Sequence, residues 1–110
     1  MKPLVKYLSE EDAVQCVGKG WEQLVRKVYN AKAGMGITVG IIQVKEKWGG
    51  LRIYTDYYDA ELEKTIRQVG EESTRTCHDC GVPAGLVKKG TWYQTLCEKH
   101  RDGWEPVELE

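Results

Sequence analysis

The sequence predicts an α+β fold, and three patterns along the chain support this class. An apolar stripe at helical spacing comes first, two β-like runs around a glycine pair follow, and cysteines cluster with a histidine near the end. The chain has 110 residues, of which 41% are hydrophobic and 30% are charged, as is typical of a globular protein. We expect an N-terminal helix, an antiparallel β-hairpin, a second helix and a small cysteine-rich module at the C-terminal end.

The first helix should begin after Ser9, whose hydroxyl can cap a helix that opens with three acidic residues. Its apolar stripe has intervals of three and four residues and consists of Val14, Val17, Trp21, Leu24, Val25 and Val28. Gly18 and Gly20 interrupt this stripe, and a glycine within a helix costs about 1 kcal/mol relative to alanine. We therefore expect a break there, with a longer helical piece at about 21–31 and an apolar face in the core.

Two β-like runs, at about 37–45 and 51–57, flank Gly49 and Gly50. A glycine pair suits a two-residue hairpin turn, because both central positions of that turn need a positive φ. The turn predicts a register that pairs Trp48 with Leu51, Lys47 with Arg52, Glu46 with Ile53, Lys45 with Tyr54, Val44 with Thr55 and Gln43 with Asp56.

Directly paired residues share a face of the sheet, so this register separates two faces. The apolar face would contain Ile42, Val44, Trp48, Leu51 and Ile53, with Glu46 as its only charged member. The polar face would contain Gln43, Lys45, Lys47, Arg52, Tyr54 and Asp56. Trp48 could anchor an interface at the hairpin tip, although a place in the core is the simpler expectation.

A second helix is expected after Asp59, which can cap it. Leu62, Ile66 and Val69 have the spacing of its apolar stripe, and the helix should end near Thr74.

The most specific pattern in the chain is a pair of C-x2-C-like motifs. Cys77 and Cys80 lie at this spacing, sixteen residues follow, and Cys97 and His100 repeat it. Three sulfurs and one imidazole nitrogen form a tetrahedral donor set that suits zinc, so we predict one structural Zn²⁺ per chain. His78 lies between the first two ligands and should point away from the metal, since its use in place of His100 would strain the site.

The segment between the two pairs has the pattern of a small hairpin, turning at residues 88–90. The residues from Cys97 to His100 look like the start of a short helix, and this order favours a treble-clef-like zinc module over a plain two-knuckle ribbon. The predicted organisation is a helix–hairpin–helix α+β region at 1–76, a structural zinc-finger module packed on it at 77–101, and a loosely ordered acidic tail at 102–110.

Four cysteines could instead form two disulfides, but Cys16 stands apart from the other three. We expect Cys16 to be a small apolar core residue. The first residues resemble no signal peptide, and no apolar run approaches the roughly 20 residues of a membrane span. We therefore expect a soluble protein of a reducing cytoplasm, without membrane association, and favour zinc over disulfides.

An enzyme is not expected. Four protein ligands leave no open position on the metal, whereas catalytic zinc keeps one for water or substrate. The sequence also lacks a P-loop, a dinucleotide-binding glycine motif and a nucleophile elbow. A metal-dependent hydrolase is the least supported alternative.

The best candidate for a binding site is the surface of the first hairpin. Its cations and aromatics could hold a phosphate-bearing ligand, a nucleic-acid backbone or an acidic protein surface, although a solvated strand face is the simpler alternative. The net charge of −1 argues against a general nucleic-acid coating protein. The candidate binding residues are Lys45, Lys47, Trp48, Arg52 and Tyr54, and a second candidate surface comprises Lys88, Lys89, Trp92 and Tyr93.

Four segments together resemble a group of small zinc-knuckle proteins encoded by bacteriophages and prophages. They are the runs GKGW at 18–21, KEKWGGLRIY at 45–54, CHDCG at 77–81 and TLCEKH at 95–100. The resemblance implies a bacterial host cytoplasm and an accessory protein that binds a host factor or a signalling molecule, including in evasion of host defence. The first hypothesis is therefore a non-enzymatic binding protein that engages a host protein or an anionic small ligand. The second is a nucleic-acid-binding regulator that uses the same basic hairpin face.

Overall fold

The computed structural model describes residues 7–107, in which helices and two small antiparallel sheets confirm the predicted α+β class. A single turn of 3-10 helix, Lys19–Trp21, joins the first two helices. The helices are α1 (Glu10–Val14), α2 (Glu22–Met35) and α3 (Ala60–Ser73). The strands are β1 (Ile41–Lys47), β2 (Gly50–Thr55), β3 (Gly85–Lys89), β4 (Trp92–Leu96) and β5 (Glu105–Pro106).

The N-terminal caps of α1 and α3 are those that the sequence predicts. Ser9 Oγ accepts a hydrogen bond from the Asp12 backbone N–H at 3.1 Å, and the Asp59 carboxylate accepts one from the Leu62 N–H at 2.9 Å. The end of α2 is set by Gly36, whose φ of 65° places it in the left-handed region that favours glycine. α2 therefore extends to Met35, past its predicted end at about residue 31, and local interactions set all three boundaries.

The predicted break in the N-terminal helix is also confirmed, with the 3-10 turn at the position of the two glycines. Trp21 at its end is fully buried, and its indole N–H donates to the Thr76 carbonyl at 2.9 Å. Cys16, expected in the core, is instead exposed because it lies beyond the end of α1, where its thiol is 3.4 Å from the Asp12 carbonyl.

The main core lies between the first hairpin and the helices. Its buried members are Ala13, Val14, Trp21, Leu24, Val25, Val28, Val39, Ile41, Val44, Leu51, Ile53, Leu62 and Val69. A second, smaller core lies in the C-terminal module, where Ala84 and Trp104 pack on Cys77, Val87, Leu96 and Cys97. Two of the four predicted metal ligands thus belong to a core too small to stabilise the module by apolar burial alone.

The first hairpin turns at Trp48 and Gly49, and the prediction of a turn at Gly49 and Gly50 is wrong by one residue. Trp48 has φ 55° and Gly49 has φ 82°, while Lys47 pairs with Gly50. Residues 43–47 of β1 therefore pair two positions earlier in β2 than predicted, so that Lys45 is opposite Arg52. A shift of two residues preserves the faces, because side chains alternate with a period of two.

Contacts with the rest of the molecule account for this turn. The Gly49 carbonyl accepts a hydrogen bond from the buried Thr95 hydroxyl at 2.7 Å, and the Gly49 N–H donates to the Glu46 carboxylate at 2.7 Å. A Cβ atom on Gly49 would lie 2.5 Å from Leu86 Cδ1. Gly49 is thus the only one of the two glycines that both docks on the C-terminal module and needs a positive φ.

Two residues of the predicted apolar face are exposed. Trp48 is 63% exposed because it occupies the turn itself. Ile42 is 37% exposed because the register shifts between Ile41 and Gln43, and Ile41 takes the buried position.

The second sheet has the order β4-β3-β5, and its hairpin turns at Gly90 and Thr91. Residues 98–100 form a turn, so the short helix expected after Cys97 is not formed within the described residues. Part of the segment expected to be a loose tail forms β5, where Glu105 pairs with Lys88. No helix within residues 7–107 combines the length and the apolar character needed to cross a membrane.

Candidate metal centre

The first ligand pair lies in a tight turn that begins where α3 delivers the chain to the module. The Cys77 N–H donates to the Val82 carbonyl at 2.8 Å, and the Cys77 carbonyl accepts from the Gly81 N–H at 2.9 Å. Gly81 has φ 87°, a value that a residue with a Cβ rarely adopts. These bonds fold the backbone back on itself and bring Cys80 beside Cys77.

The second pair lies in a similar turn directly after β4. The His100 N–H donates to the Cys97 carbonyl at 3.0 Å, which turns the imidazole back toward the Cys97 sulfur. β4 is paired with β3, so the hairpin sets the second turn against the first. Each pair therefore has its own local turn, and the sheet brings the two turns together.

The ligand atoms of Cys77, Cys80, Cys97 and His100 all lie within 4.8 Å of one another. The Cys80 and Cys97 sulfurs are 3.7 Å apart, and the two remaining short contacts are from His100 Nδ1 to Cys77 Sγ at 3.7 Å and to Cys97 Sγ at 3.2 Å. Tetrahedral bond lengths of zinc imply about 3.8 Å between two sulfurs and about 3.6 Å between sulfur and nitrogen. The four groups can hold one metal ion, as their spacing in the sequence predicts.

The electrostatics of the cluster favour deprotonation at two of its three sulfurs. At Cys80 the backbone N–H of Val82 lowers the pKa, but burial and the neighbouring thiols raise it overall. Burial raises the pKa of the Cys97 thiol, but hydrogen bonds from His100 and from the other two thiols outweigh it and lower that pKa to about 6. Burial also raises the pKa of Cys77, yet backbone N–H groups directed at its sulfur, led by that of Cys97, lower it overall. Thiolates are the form that binds metal, so the fold prepares these two sulfurs for a cation.

His78 is not part of the cluster, as predicted. Its Nε2 accepts a hydrogen bond from the Gly18 N–H at 2.8 Å, and its ring meets the Trp21 ring edge-on with centroids 4.5 Å apart. Nε2 therefore carries no proton, which leaves Nδ1 as the N–H that faces the Asp79 carboxylate at 3.5 Å.

Gly18 and Gly20, at the break between α1 and α2, pack against the turn that carries Cys77 and Cys80, which we call the metal turn. The Gly20 N–H donates to the His78 carbonyl at 2.9 Å. A Cβ atom on Gly20 would clash with the Cys77 carbonyl and would lie 2.5 Å from the Gly81 nitrogen. Only a residue without a side chain allows the two backbones to come this close. This contact was not predicted, although two glycines just before a tryptophan were its signal.

The predicted binding residues of the first hairpin lie together on the exposed side of the sheet. Lys45 and Arg52 are directly paired, and the Lys45 ammonium lies 5.4 Å from the centre of the Tyr54 ring. Lys47 and Arg52 are both exposed. The polar face therefore exists as a surface, and Trp48 projects from its end.

The two candidate surfaces of the sequence adjoin each other in the structure. Trp48 at the tip of the first hairpin contacts Tyr93 of the second, with ring centroids 5.7 Å apart and an interplanar angle of 61°. A groove of about 400 Å³ lies between the two hairpin tips. We call it the tip groove; its lining residues are Glu46, Lys47, Trp48, Thr91, Trp92 and Tyr93. No sequence pattern indicated that the tips would meet.

Comparisons with protein-family models, with curated proteins and with solved structures found no match for this chain.

Proposed function

We propose that the four-residue cluster binds one structural Zn²⁺ and that this ion stabilises the C-terminal module. Support comes from the donor set, since three sulfurs and one imidazole are the ligands of structural zinc, and from sulfur–sulfur and sulfur–nitrogen distances near those of a tetrahedral site. Two turns that each carry a ligand pair fit a two-knuckle zinc finger. The helix of a treble clef is missing after Cys97 in the described residues.

Elemental analysis of the purified protein tests this proposal. We expect one zinc ion per chain, and loss of the metal from a Cys77→Ser, Cys97→Ser double variant. A fully folded protein that contains no metal would contradict the assignment.

We further propose that the chain is a non-enzymatic binding protein that engages an anionic partner with the first hairpin and the tip groove. The observation that carries this proposal is the row formed by the exposed Lys47 and Arg52 and the half-buried Lys45, which ends at an exposed tryptophan. Cations beside an aromatic anchor are the usual means of holding a negatively charged partner. The partner would be a host bacterial protein with an acidic surface or an anionic small ligand, in keeping with a phage accessory protein of the host cytoplasm.

Capture from a bacterial lysate tests this function, with the native protein compared with a Lys45→Ala, Lys47→Ala, Arg52→Ala variant. All three side chains lie on the solvent side of the sheet, so the variant should remain folded. We expect it to lose the partner. A matched control removes three cations elsewhere, with Lys19→Ala, Lys32→Ala and Lys99→Ala. Equal capture by the native and hairpin variants would disprove the role of this surface.

A second candidate function is nucleic-acid binding through the same surface. The tip groove favours it, because Lys47 lines it together with two exposed tryptophans. Retention on immobilised single-stranded DNA that falls steeply between low and moderate salt would support this function. Retention that does not change with salt would count against it.

A further inference from the structure

Trp48 has a backbone conformation that is unfavourable for a residue with a large side chain. Its φ of 55° lies in the left-handed region, and it is the only residue other than glycine at a positive φ among residues 7–107. Two-residue turns of this kind favour asparagine, aspartate or glycine at this position, whereas a bulky side chain is strained there. The side chain contributes little to the core in return, since Trp48 is 63% exposed.

The turn nevertheless holds Trp48 firmly. Its neighbour Gly49 is bound on one side by the Thr95 hydroxyl and on the other by the Glu46 carboxylate. The edge-on contact with Tyr93 also orients the Trp48 indole ring. A strained residue that its surroundings fix in place, with its side chain turned to solvent, is typical of a functional site.

The second hairpin contributes another exposed tryptophan to the lining of the tip groove. Trp92 is 72% exposed and occupies the first position of β4, next to Tyr93. Two tryptophans and one tyrosine therefore line this groove of about 400 Å³. Aromatic side chains suit a flat aromatic ligand, which can stack on them. Stacking depends little on the polar groups at the edge of the ligand.

The cations around the tip groove favour flat ligands that carry negative charge. Lys47 lines the groove, and Arg52 and Lys45 continue the row of cations along the first hairpin. The only acid in the lining is Glu46, and its carboxylate is engaged by the Gly49 N–H. A ligand that stacks in the groove and extends along the hairpin would therefore meet cations where it carries negative charge.

We propose that the tip groove is a nucleotide-binding site, in which a nucleobase stacks on Trp48 and Trp92 and its phosphate is held by Lys47. This inference rests on the proposed binding function and gives its anionic ligand a chemical class. The same chemistry occurs in a free nucleotide and in a single-stranded nucleic acid. Both can be tested directly on the zinc-loaded full chain.

The experiment measures quenching of tryptophan fluorescence on titration with a deoxythymidine oligomer, an abasic oligomer of equal length, adenosine triphosphate and inorganic triphosphate. Stacking predicts that the oligomer or the nucleotide quenches and that the abasic and inorganic probes do not. Binding of the oligomer alone would identify single-stranded nucleic acid as the source, and binding of both would include free nucleotides. Equal affinity for the base-free probes would overturn the stacking site.

Substitutions distinguish a functional Trp48 from a structural one. Trp48→Asn should weaken oligomer or nucleotide binding at least about 10-fold, because one stacking ring is lost, and should raise the thermal midpoint because asparagine suits the turn. Trp92→Ala should weaken binding to a similar extent. Tyr58→Ala is the matched control, since Tyr58 is also 72% exposed but lies outside the groove. Unchanged affinity in both tryptophan variants would overturn the proposal.

Failure here can be separated from failure of the proposed function. If neither nucleotide nor oligomer binds, but the Lys45, Lys47 and Arg52 variant loses a lysate partner, the binding function stands and the nucleotide assignment falls. Quenching by a proline-rich peptide with no response to base-containing probes would also overturn the assignment. If the native protein captures nothing and no probe binds, both proposals fail.

Discussion

The backbone N–H of Gly18 donates a hydrogen bond of 2.8 Å to Nε2 of His78. This bond joins the break between the first two helices to the residue that follows the first metal ligand. Two further bonds run between the same regions, from Gly20 to the His78 carbonyl and from the Trp21 indole to the Thr76 carbonyl. The metal turn and the N-terminal helices are therefore parts of one packed unit.

Gly20→Ala should destabilise the protein severely, because the new methyl group would meet backbone atoms of Cys77, Cys80 and Gly81 that cannot move aside. We expect a loss of about 3 kcal/mol or more in the free energy of unfolding, measured with denaturant on the zinc-loaded protein. Gly34→Ala is the control, since nothing lies within 4 Å of its added methyl group, and alanine should stabilise α2 by up to about 1 kcal/mol. Similar stabilities for the two variants would contradict the close contact.

The two histidines should respond differently to replacement by alanine. His100→Ala removes a ligand, so zinc should be lost or bound far more weakly. His78→Ala leaves the ligand set intact but takes the acceptor from the partly buried Gly18 N–H, so it should keep one zinc and lose about 1–3 kcal/mol of stability. Zinc content and thermal unfolding, measured on both variants, separate the two roles. Loss of zinc in the His78 variant alone would reverse our ligand assignment.

Removal of the metal should be detectable beyond the C-terminal module. The Gly18 and Gly20 amides donate to His78, so they should be protected from hydrogen exchange while the metal turn is intact. A chelator should abolish their protection. Amides in the middle of α3, such as that of Ile66, serve as the internal control and should lose much less. Unchanged exchange at the two glycines after complete metal removal would show that their hydrogen bonds to His78 persist without the metal.

The contact between the hairpin tip and the second sheet can be tested at Thr95. Thr95→Val keeps the shape of the side chain but removes the hydroxyl that donates to the Gly49 carbonyl at 2.7 Å. Since Thr95 is fully buried, the carbonyl would be left without its partner, and the free energy of unfolding should fall by about 1–3 kcal/mol. The exposed Thr91 provides the control, and Thr91→Val should change stability by less than about 0.5 kcal/mol.

Asp56 provides a pH-dependent contact at the other end of the first hairpin. The hydrogen bond from the Gly40 N–H, with a smaller contribution from the Tyr7 hydroxyl, holds the pKa of this carboxyl below its usual range. Its contribution to stability is therefore present above the ordinary aspartate pKa of about 3.9 and is lost as the pH falls through the lower, folded value. The Gly40 amide resonance, followed by NMR, should titrate with a midpoint below 3.9. A midpoint at or above that value would exclude this interaction.

The sequence was most informative where one residue and its near neighbours determine the structure. Ser9 and Asp59 cap their helices through bonds to the residue three positions later, and the ligand spacing predicts a cluster that the fold assembles. These features depend on the local backbone, so a pattern over a few residues contains enough information.

Features that depend on distant contacts were not predictable from such patterns. The glycine pair favoured a turn at Gly49 and Gly50. The observed turn at Trp48 and Gly49 depends on the hydrogen bond from Thr95, which lies on the other sheet. The tip groove likewise arises only when the second hairpin sets Trp92 and Tyr93 beside Trp48. Side-chain burial at these positions is a property of the assembled fold.

The second sheet has a proline in its outermost strand. Pro106 of β5 pairs with Val87 of β3, and its ring nitrogen has no hydrogen to offer on any side. An extended chain that approached this edge would find a gap in the row of donors, so the edge is a poor template for another strand. A short segment near the C-terminus thereby protects this edge of the second sheet against edge-to-edge aggregation.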